Sequence, residues 1–179
     1  MVCGRFNLLA DDENDQAAQA EGIQIVRRGT GGGAWFIDPG NTIASSLYAP
    51  LDFAKGVSIE GSYRLCDYWL VTALRELGLD VRFTGLNDIA SQYGKIGGAA
   101  QRRFPPIDTG PGAILHHVTL AYDIDGEKMM RVLDVSREKR SDKAVKSAVK
   151  CVDPMRSQTG MSRDVVVNHL IAAARRVTI

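Results

Sequence analysis

Two glycine-rich stretches that each carry cations are the residues of this chain best suited to chemistry. The first is Arg27-Arg28-Gly29-Thr30-Gly31-Gly32-Gly33-Ala34-Trp35-Phe36. The second is Lys95-Ile96-Gly97-Gly98-Ala99-Ala100-Gln101-Arg102-Arg103. Three consecutive glycines are a costly choice, because glycine loses more backbone freedom on folding than any other residue. Placed between two strand-like runs, they suggest a ligand lying against bare main chain. Their N–H groups can face phosphate oxygens. Gly-Gly is also ordinary hairpin-turn chemistry, and the second glycine-rich cationic stretch is what favours a site. Lys95 supplies a compact point charge able to contact a phosphate and a carboxylate oxygen together. Arg28 offers a planar fork to a phosphate, or a surface ion pair. Asp88, within Asn87-Asp88-Ile89, suits either a magnesium ion carried by a triphosphate or an Asx-type turn. His116 and His117 are neighbours on one strand, so they point to opposite faces, one inward and one outward.

The elements that must position these residues follow from periodicity. The apolar run 23–26 predicts the strand that feeds the glycine triplet, and residues 34–37 predict another. Asp38-Pro39-Gly40-Asn41 is a turn, followed by a strand over 42–48 and a loop from Pro50. The clearest helix covers 59–77, where Cys66, Trp69, Leu70, Ala73, Leu74 and Leu77 share a face, and Gly78 stops it. Cys66 on that face is best explained as a small buried apolar residue. A short strand is expected over 79–83, with residues 87–89 in a loop or strand beyond it. Strands over 95–103 and 113–122 form a hairpin across a turn-rich loop. Helices are expected over 16–21, closed by Gly22, over 127–133, and from a Ser162 cap to 177, with Val165, Val166, Leu170 and Ala173 apolar. Residues 137–150 are a charged stretch. Val2-Cys3-Gly4-Arg5-Phe6 has the pattern of a strand end and its turn. The sum is an α+β fold: mixed, largely antiparallel sheets packed with helices.

The totals bound the partners. The chain has 179 residues, enough for one domain with a real core, and no repeat or interior linker divides it. Its net charge is +1, so no global field recruits nucleic acid or an anionic membrane. No apolar run approaches the length of a membrane span, and no signal peptide opens the sequence. Cys3, Cys66 and Cys151 are odd in number and far apart. They fit a reducing cytoplasm better than a disulfide framework. No Cys/His spacing matches a zinc site.

The motifs resemble, in order, those of the lipoate–protein ligase A family in the biotin/lipoate protein ligase superfamily. The residues that carry this are Arg27-Arg28-Gly29-Thr30-Gly31-Gly32-Gly33-Ala34, Asp38-Pro39-Gly40-Asn41, Asn87-Asp88-Ile89, Lys95-Ile96-Gly97-Gly98-Ala99 and His116-His117-Val118-Thr119-Leu120. The resemblance extends from Val2 to about Met155. It implies a catalytic domain of that superfamily over 1–179. It implies a ligase that activates lipoate with Mg2+ and ATP to lipoyl-adenylate and transfers the acyl group to a lysine of an acceptor domain.

By resemblance, Lys95 is catalytic and bridges the lipoate carboxylate and the α-phosphate. ATP or adenylate is contacted by Arg28, Gly33, Ala34, Trp35, Phe36, Asn87, Asp88 and Lys95. Lipoate lies against Gly31, Gly32, Gly33, Lys95, Gly98 and His117. Asp88 helps to hold metal or phosphates. The implied partners are lipoyl-acceptor domains of the 2-oxoacid dehydrogenase E2 or glycine cleavage H protein type.

Three positions depart from the family pattern: Gly97 where serine is common, Val118 where many members have glycine, and Leu86 where arginine is frequent. Relatives carry a strand and helix before the position of Val2, and many carry a C-terminal accessory domain. The Lys95-Ile96-x-Gly98-Ala99-Ala100 form is most similar to archaeal-type ligases whose accessory domain is a separate chain. The expectation is therefore a domain that needs a partner chain for activation, unless the start codon was placed too far downstream. Two alternatives stand beside the ligase. One is an octanoyltransferase, which needs a thiol nucleophile, and 86–94 contains no cysteine. The other is a non-catalytic subunit that binds acyl-carrier domains.

Overall fold

The computed structural model describes residues 1–6, 15–133 and 152–177. In chain order, the elements are β1 (Val2–Cys3), α1 (Asp15–Ala20), β2 (Val26–Arg27), β3 (Thr42–Pro50), α2 (Ile59–Glu76), β4 (Arg82–Thr84), β5 (Asp88–Ala90), β6 (Lys95–Phe104), β7 (Ala113–Ala121), α3 (Gly126–Val132), α4 (Met155–Thr159) and α5 (Arg163–Arg175). A 3-10 turn, Leu51–Ala54, follows β3.

Five strands form an antiparallel sheet in the order β3-β7-β6-β5-β4, and β1 and β2 form a separate parallel pair. Register sorts the side chains. In β7, Ile114, His116, Val118 and Leu120 lie opposite Ala49, Leu47, Ser45 and Ile43 of β3. These side chains alternate with Leu115, His117 and Thr119, which face the other way. Of the first set, Val118, Leu120 and Ile43 meet α2 and α5 in one core that includes Leu70, Val71, Leu74, Leu170 and Ala173, while Ile114 and Ala49 pack with Ala54 in a separate small cluster. Fully burying a leucine such as Leu70 or Leu74 stabilises by roughly 2 kcal/mol. The second set leaves the opposite face open to the loop between β2 and β3. A smaller core of Met1, Ala18, Phe36, Ala121, Ile124 and Val132 closes the far end of the domain.

Helix α2 forms where the spacing predicts. Ser58 caps it by accepting from the Gly61 amide at 3.0 Å. Asp125 and Ser162 cap α3 and α5 in the same way. Val165 departs from expectation: it is 51% exposed, and Val166 is the buried member of that pair.

Three strand expectations are corrected. The run 23–26 contributes only Val26 to a strand, because Ile23 and Ile25 are used to pack the smaller core. Residues 34–37 are not a strand; Trp35 alone makes a bridge, to Val2. The strand expected over 79–83 runs instead over Arg82–Thr84, with Leu79 and Val81 turned into the main core. The charged stretch 137–150 lies outside the described residues. Among those that are described, no helix is long and apolar enough to cross a membrane.

Candidate functional site

The two glycine-rich stretches meet on the open face of the sheet. They enclose a cavity of about 100 Å³ whose lining includes Arg28, Gly32, Gly33, Ala34, Trp35, Asn87, Lys95, Gly98 and His117. Thr119, Ala99 and Ala100 complete the wall. Nine residues singled out in the sequence are thus brought together from the loop after β2, the residue before β5, β6 and β7.

Lys95 enters the cavity from the first position of β6. Its Nζ lies 2.8 Å from Asp88 Oδ1 and 4.9 Å from the centre of the Trp35 ring. The Asp88 side chain is 10% exposed and that of Lys95 20%. Gly98 explains how a lysine and an indole fit side by side. A Cβ there would lie 2.9 Å from the Trp35 ring and 3.0 Å from Lys95 Nζ. Asn87 is stitched to β6 by both ends. Its side-chain amide donates to the Ala99 carbonyl at 2.6 Å, and the Ala99 amide donates back to the Asn87 carbonyl at 2.8 Å. The Trp35 indole N–H is buried with no acceptor among the described residues.

Arg28 takes a different role from the one expected of it. Its Nη2 donates to the carbonyls of Gly31 at 2.7 Å and Gly33 at 2.8 Å. Its Nη1 donates to the Val2 carbonyl at 3.3 Å, and its Nε to Thr30 Oγ1 at 3.0 Å. Of the five N–H groups of a guanidinium, these bonds leave one, so no bidentate phosphate fork remains. Thr30, only 2% exposed, was not among the expected site residues. Its hydroxyl accepts from Arg28 Nε and lies 2.6 Å from His117 Nε2, joining the guanidinium to the imidazole of β7.

Burial, then the charges of Arg28 and His116, push His117 down from 6.5 to about 4. The folded protein thus holds this imidazole neutral, whereas the unfolded chain protonates it near 6.5. Its contribution to stability is complete above pH 6.5 and is lost as pH falls from 6.5 towards 4. An NMR titration of His117 should accordingly show no protonation step between pH 8 and 5.5. A step near 6.5 would contradict the burial of His117 beside Arg28.

One site expectation is corrected, and two residues are placed differently. Phe36 is 1% exposed and belongs to the smaller core, so its side chain faces away from the cavity. Asp88, expected beside metal or phosphates, has its Oδ1 paired with Lys95 Nζ. Among the described residues, no cluster of three metal-ligating side chains occurs. Gly31 does not line the cavity; its carbonyl is turned to Arg28.

His116 faces the helices. Its Nε2 lies 2.7 Å from Asp67 Oδ1, with both side chains almost fully buried. Cys66 is 1% exposed on that same side. Burial, then the Asp67 charge, pushes its thiol up to about 11. It lies on the opposite face of the sheet from Lys95 and stays protonated near neutral pH.

Several known proteins resemble this chain over most of its length. The family model of the lipoyl protein ligase A/B catalytic domain matches residues 1–175. Lipoate–protein ligase 2 of Staphylococcus aureus is 32% identical over 145 residues, covering 80% of this chain and 39% of the relative. Lipoate–protein ligase A subunit 1 of Thermoplasma acidophilum is 29% identical over 182 residues, covering 96% and 65%. A solved bi-partite lipoate protein ligase from Thermoplasma acidophilum, studied with its E2 lipoyl domain, matches with a TM-score of 0.74 and 30% identity, covering 96% of this chain and 64% of that one. The chain thus spans 39% and 65% of the lengths of the two curated relatives. It belongs to the lipoyl protein ligase A/B catalytic domain family.

Proposed function

We propose that this chain is a lipoate–protein ligase that uses ATP to activate lipoate and then transfers the lipoyl group to a lysine of an acceptor domain. The observation that carries the reading is the shared cavity in which the Lys95 ammonium meets bare backbone at Gly32, Gly33 and Gly98. Activation joins two anions: a lipoate carboxylate oxygen bonds to the α-phosphorus, and pyrophosphate leaves. A fixed ammonium between them lowers their repulsion and stabilises charge in the transition state. In the second step, the acceptor amine attacks the acyl carbonyl and AMP leaves. The cavity is smaller than the ~300 Å³ of a small ligand pocket. It therefore takes the reacting ends, and the remainder of each substrate lies along the open sheet face.

The nucleotide brings magnesium as its counter-ion. Asp88, paired with Lys95, is the carboxylate beside the place where that ion and the phosphates would lie. Acceptors are domains of the E2 lipoyl or H protein type. The compartment is the cytoplasm, in keeping with three widely spaced cysteines. A separate accessory chain is part of this reading, because the chain is similar to a ligase subunit named as one of a set and to a bi-partite ligase. The thiol-dependent transferase is disfavoured, since Cys66 is buried behind the sheet with a raised pKa.

The test is an acylation assay on an isolated E2 lipoyl domain. Product from lipoate and ATP supports a self-sufficient ligase. Product only from ready-made lipoyl-adenylate supports a split one. Product from octanoyl carrier protein without ATP would replace the proposal with a transferase, and no product in any mixture would leave a binding subunit.

A further inference from the structure

The two edges of the five-stranded sheet are built differently. β4 is three residues long and opens on Arg82. A short, charged strand resists pairing with another chain. β3 runs for nine residues, Thr42–Pro50, with no charged side chain and an unbroken register. Its one proline is the last residue. Among the described residues, no strand pairs with its outer side.

Two bonds at the ends of β3 fix which of its backbone groups point outward. The Tyr122 amide donates to the Asn41 carbonyl at 3.0 Å, and the Leu51 amide to the Gly112 carbonyl at 3.3 Å. Along an antiparallel strand, residues bonded to the neighbour alternate with residues turned away from it. Odd-numbered residues therefore bond to β7, while Thr42, Ala44, Ser46 and Tyr48 turn their backbone groups outward. The Thr42 carbonyl accepts from Arg163 Nη2 at 3.4 Å. The backbone groups of Ala44, Ser46 and Tyr48 have no partner among the described residues. Beneath this edge a cavity of about 280 Å³ opens between β3 and the helices, with Ser45, Leu47, Trp69, Ala174 and Val177 in its wall.

We propose that the outer edge of β3 docks a second copy of this chain, joining the two sheets antiparallel about a two-fold axis at Ser46. In that register Ser46 faces Ser46, and Ala44 faces Tyr48 of the second copy. All three outward residues of each strand are then bonded at once. A small side chain meets a large one at each Ala44–Tyr48 pair. On the helix side, Leu47 of each copy lies opposite Ser45 of the other, over the cavity. No charge is buried, which suits this uncharged strand to its own kind. The contact is roughly 30 Å long and, through the sheet and helix layers, about 20 Å deep. That gives about 600 Å² on each side, or the ~1,200 Å² total at which stable interfaces begin. Both Lys95 cavities stay open, since β7 and β3 lie between β6 and the joint. The dimer goes beyond the ligase reading and does not depend on it.

The experiment is sedimentation equilibrium of the full chain, with a cross-linking arm. Wild type should sediment as a dimer at tens of micromolar. Ser46→Lys sets two ammonium groups against each other at the axis. It should raise the dissociation constant at least about tenfold, with an unchanged circular dichroism spectrum. For cross-linking, cysteines are introduced in a Cys151→Ser background and oxidised with copper–phenanthroline; Cys3 and Cys66 are buried and do not compete. Ser46→Cys should give a disulfide-linked dimer, because bonded residues directly opposite each other have Cα atoms about 5.5 Å apart. Ala44→Cys should cross-link at least about tenfold more slowly, since the two copies of residue 44 lie about 14 Å apart along the strands.

A wild-type chain that stays monomeric over that range would overturn the proposal and leave the edge to another chain, such as an accessory subunit. So would a dimer that Ser46→Lys leaves intact, or equal cross-linking at positions 44 and 46. If Ser46→Lys fails to fold, the two cysteine variants still decide between this register and none.

Discussion

Lys95→Ala should lower the rate of adenylate formation about 10³-fold while leaving the protein folded, because it removes the only ammonium that faces the described cavity wall. The expected effect is large because two negative charges must approach each other in a partly buried place. Water screens them poorly there, and a fixed cation does work that solvent cannot. The loss should fall on kcat and on kcat/KM together, since the interaction strengthens as charge builds on the phosphate. Stability is a separate matter. Lys95 pairs with the nearly buried Asp88 at 2.8 Å. Removing the ammonium should cost about 1–2 kcal/mol for the disrupted hydrogen bond to a charged group. Lys95→Ala should therefore be compared at a temperature well below its own transition. Adenylate formation within tenfold of wild type, measured by pyrophosphate release, would remove Lys95 from the reaction.

On stability, the largest expected effect lies on the other face of the sheet. Asp67→Ala should destabilise the fold by about 3 kcal/mol, the scale for leaving one member of a buried hydrogen-bonded pair unsatisfied. Asp67 holds His116 Nε2 at 2.7 Å. His116 Nδ1 is 3.1 Å from the Gln101 amide nitrogen, and Gln101 Oε1 accepts from the Ser62 hydroxyl at 2.9 Å. Four polar side chains thus tie α2 to β6 and β7 inside an apolar layer. Deleting the carboxylate leaves an imidazole N–H without an acceptor where water cannot easily replace it. Asp67→Asn keeps an oxygen in place and should cost less, about 1 kcal/mol. Urea denaturation would measure both, and an Asp67→Ala midpoint indistinguishable from wild type would show that this network contributes nothing. That network includes His116, the neighbour of His117 on β7, so any loss of activity in Asp67→Ala should track its loss of folded protein.

Much of the site was legible before the fold was known, and the reason differs from residue to residue. Lys95, Gly98 and the glycine triplet announce themselves because small residues in succession are unfavourable unless something needs the space. The strand pair 95–103 and 113–122 was legible from alternation, and the α2 face from three-and-four spacing. The opposite facing of His116 and His117 follows from the pleat of a strand alone. Asp67 left a weaker trace: an acidic residue sits between Cys66 and Leu70 on the apolar stripe of a helix. An acid at such a place needs a buried partner.

Other parts had no local trace. Phe36 stands in a motif of cavity residues, yet its ring is in a core. Trp35 lines the cavity and Phe36 the smaller core, and nothing in either residue's type says which one faces the ligand. Asp88 has the chemistry of a metal ligand and of an ion-pair partner alike. The choice was made by a register across β5 and β6 that puts residue 88 beside residue 98.

The amino-acid sequence alone determined the alternation of strands and helices, the location of bare backbone and fixed charge, and the resemblance of the motifs to one ligase family. These depend on neighbours within a few positions, or on motifs that stand in a known order. Tertiary structure decided that Arg28 spends its donors on the loop, that Thr30 joins Arg28 to His117, and that Lys95 rests on Asp88. A side chain with several competent partners selects among them by distance, and distance between residues far apart in the chain is set only when the sheet closes.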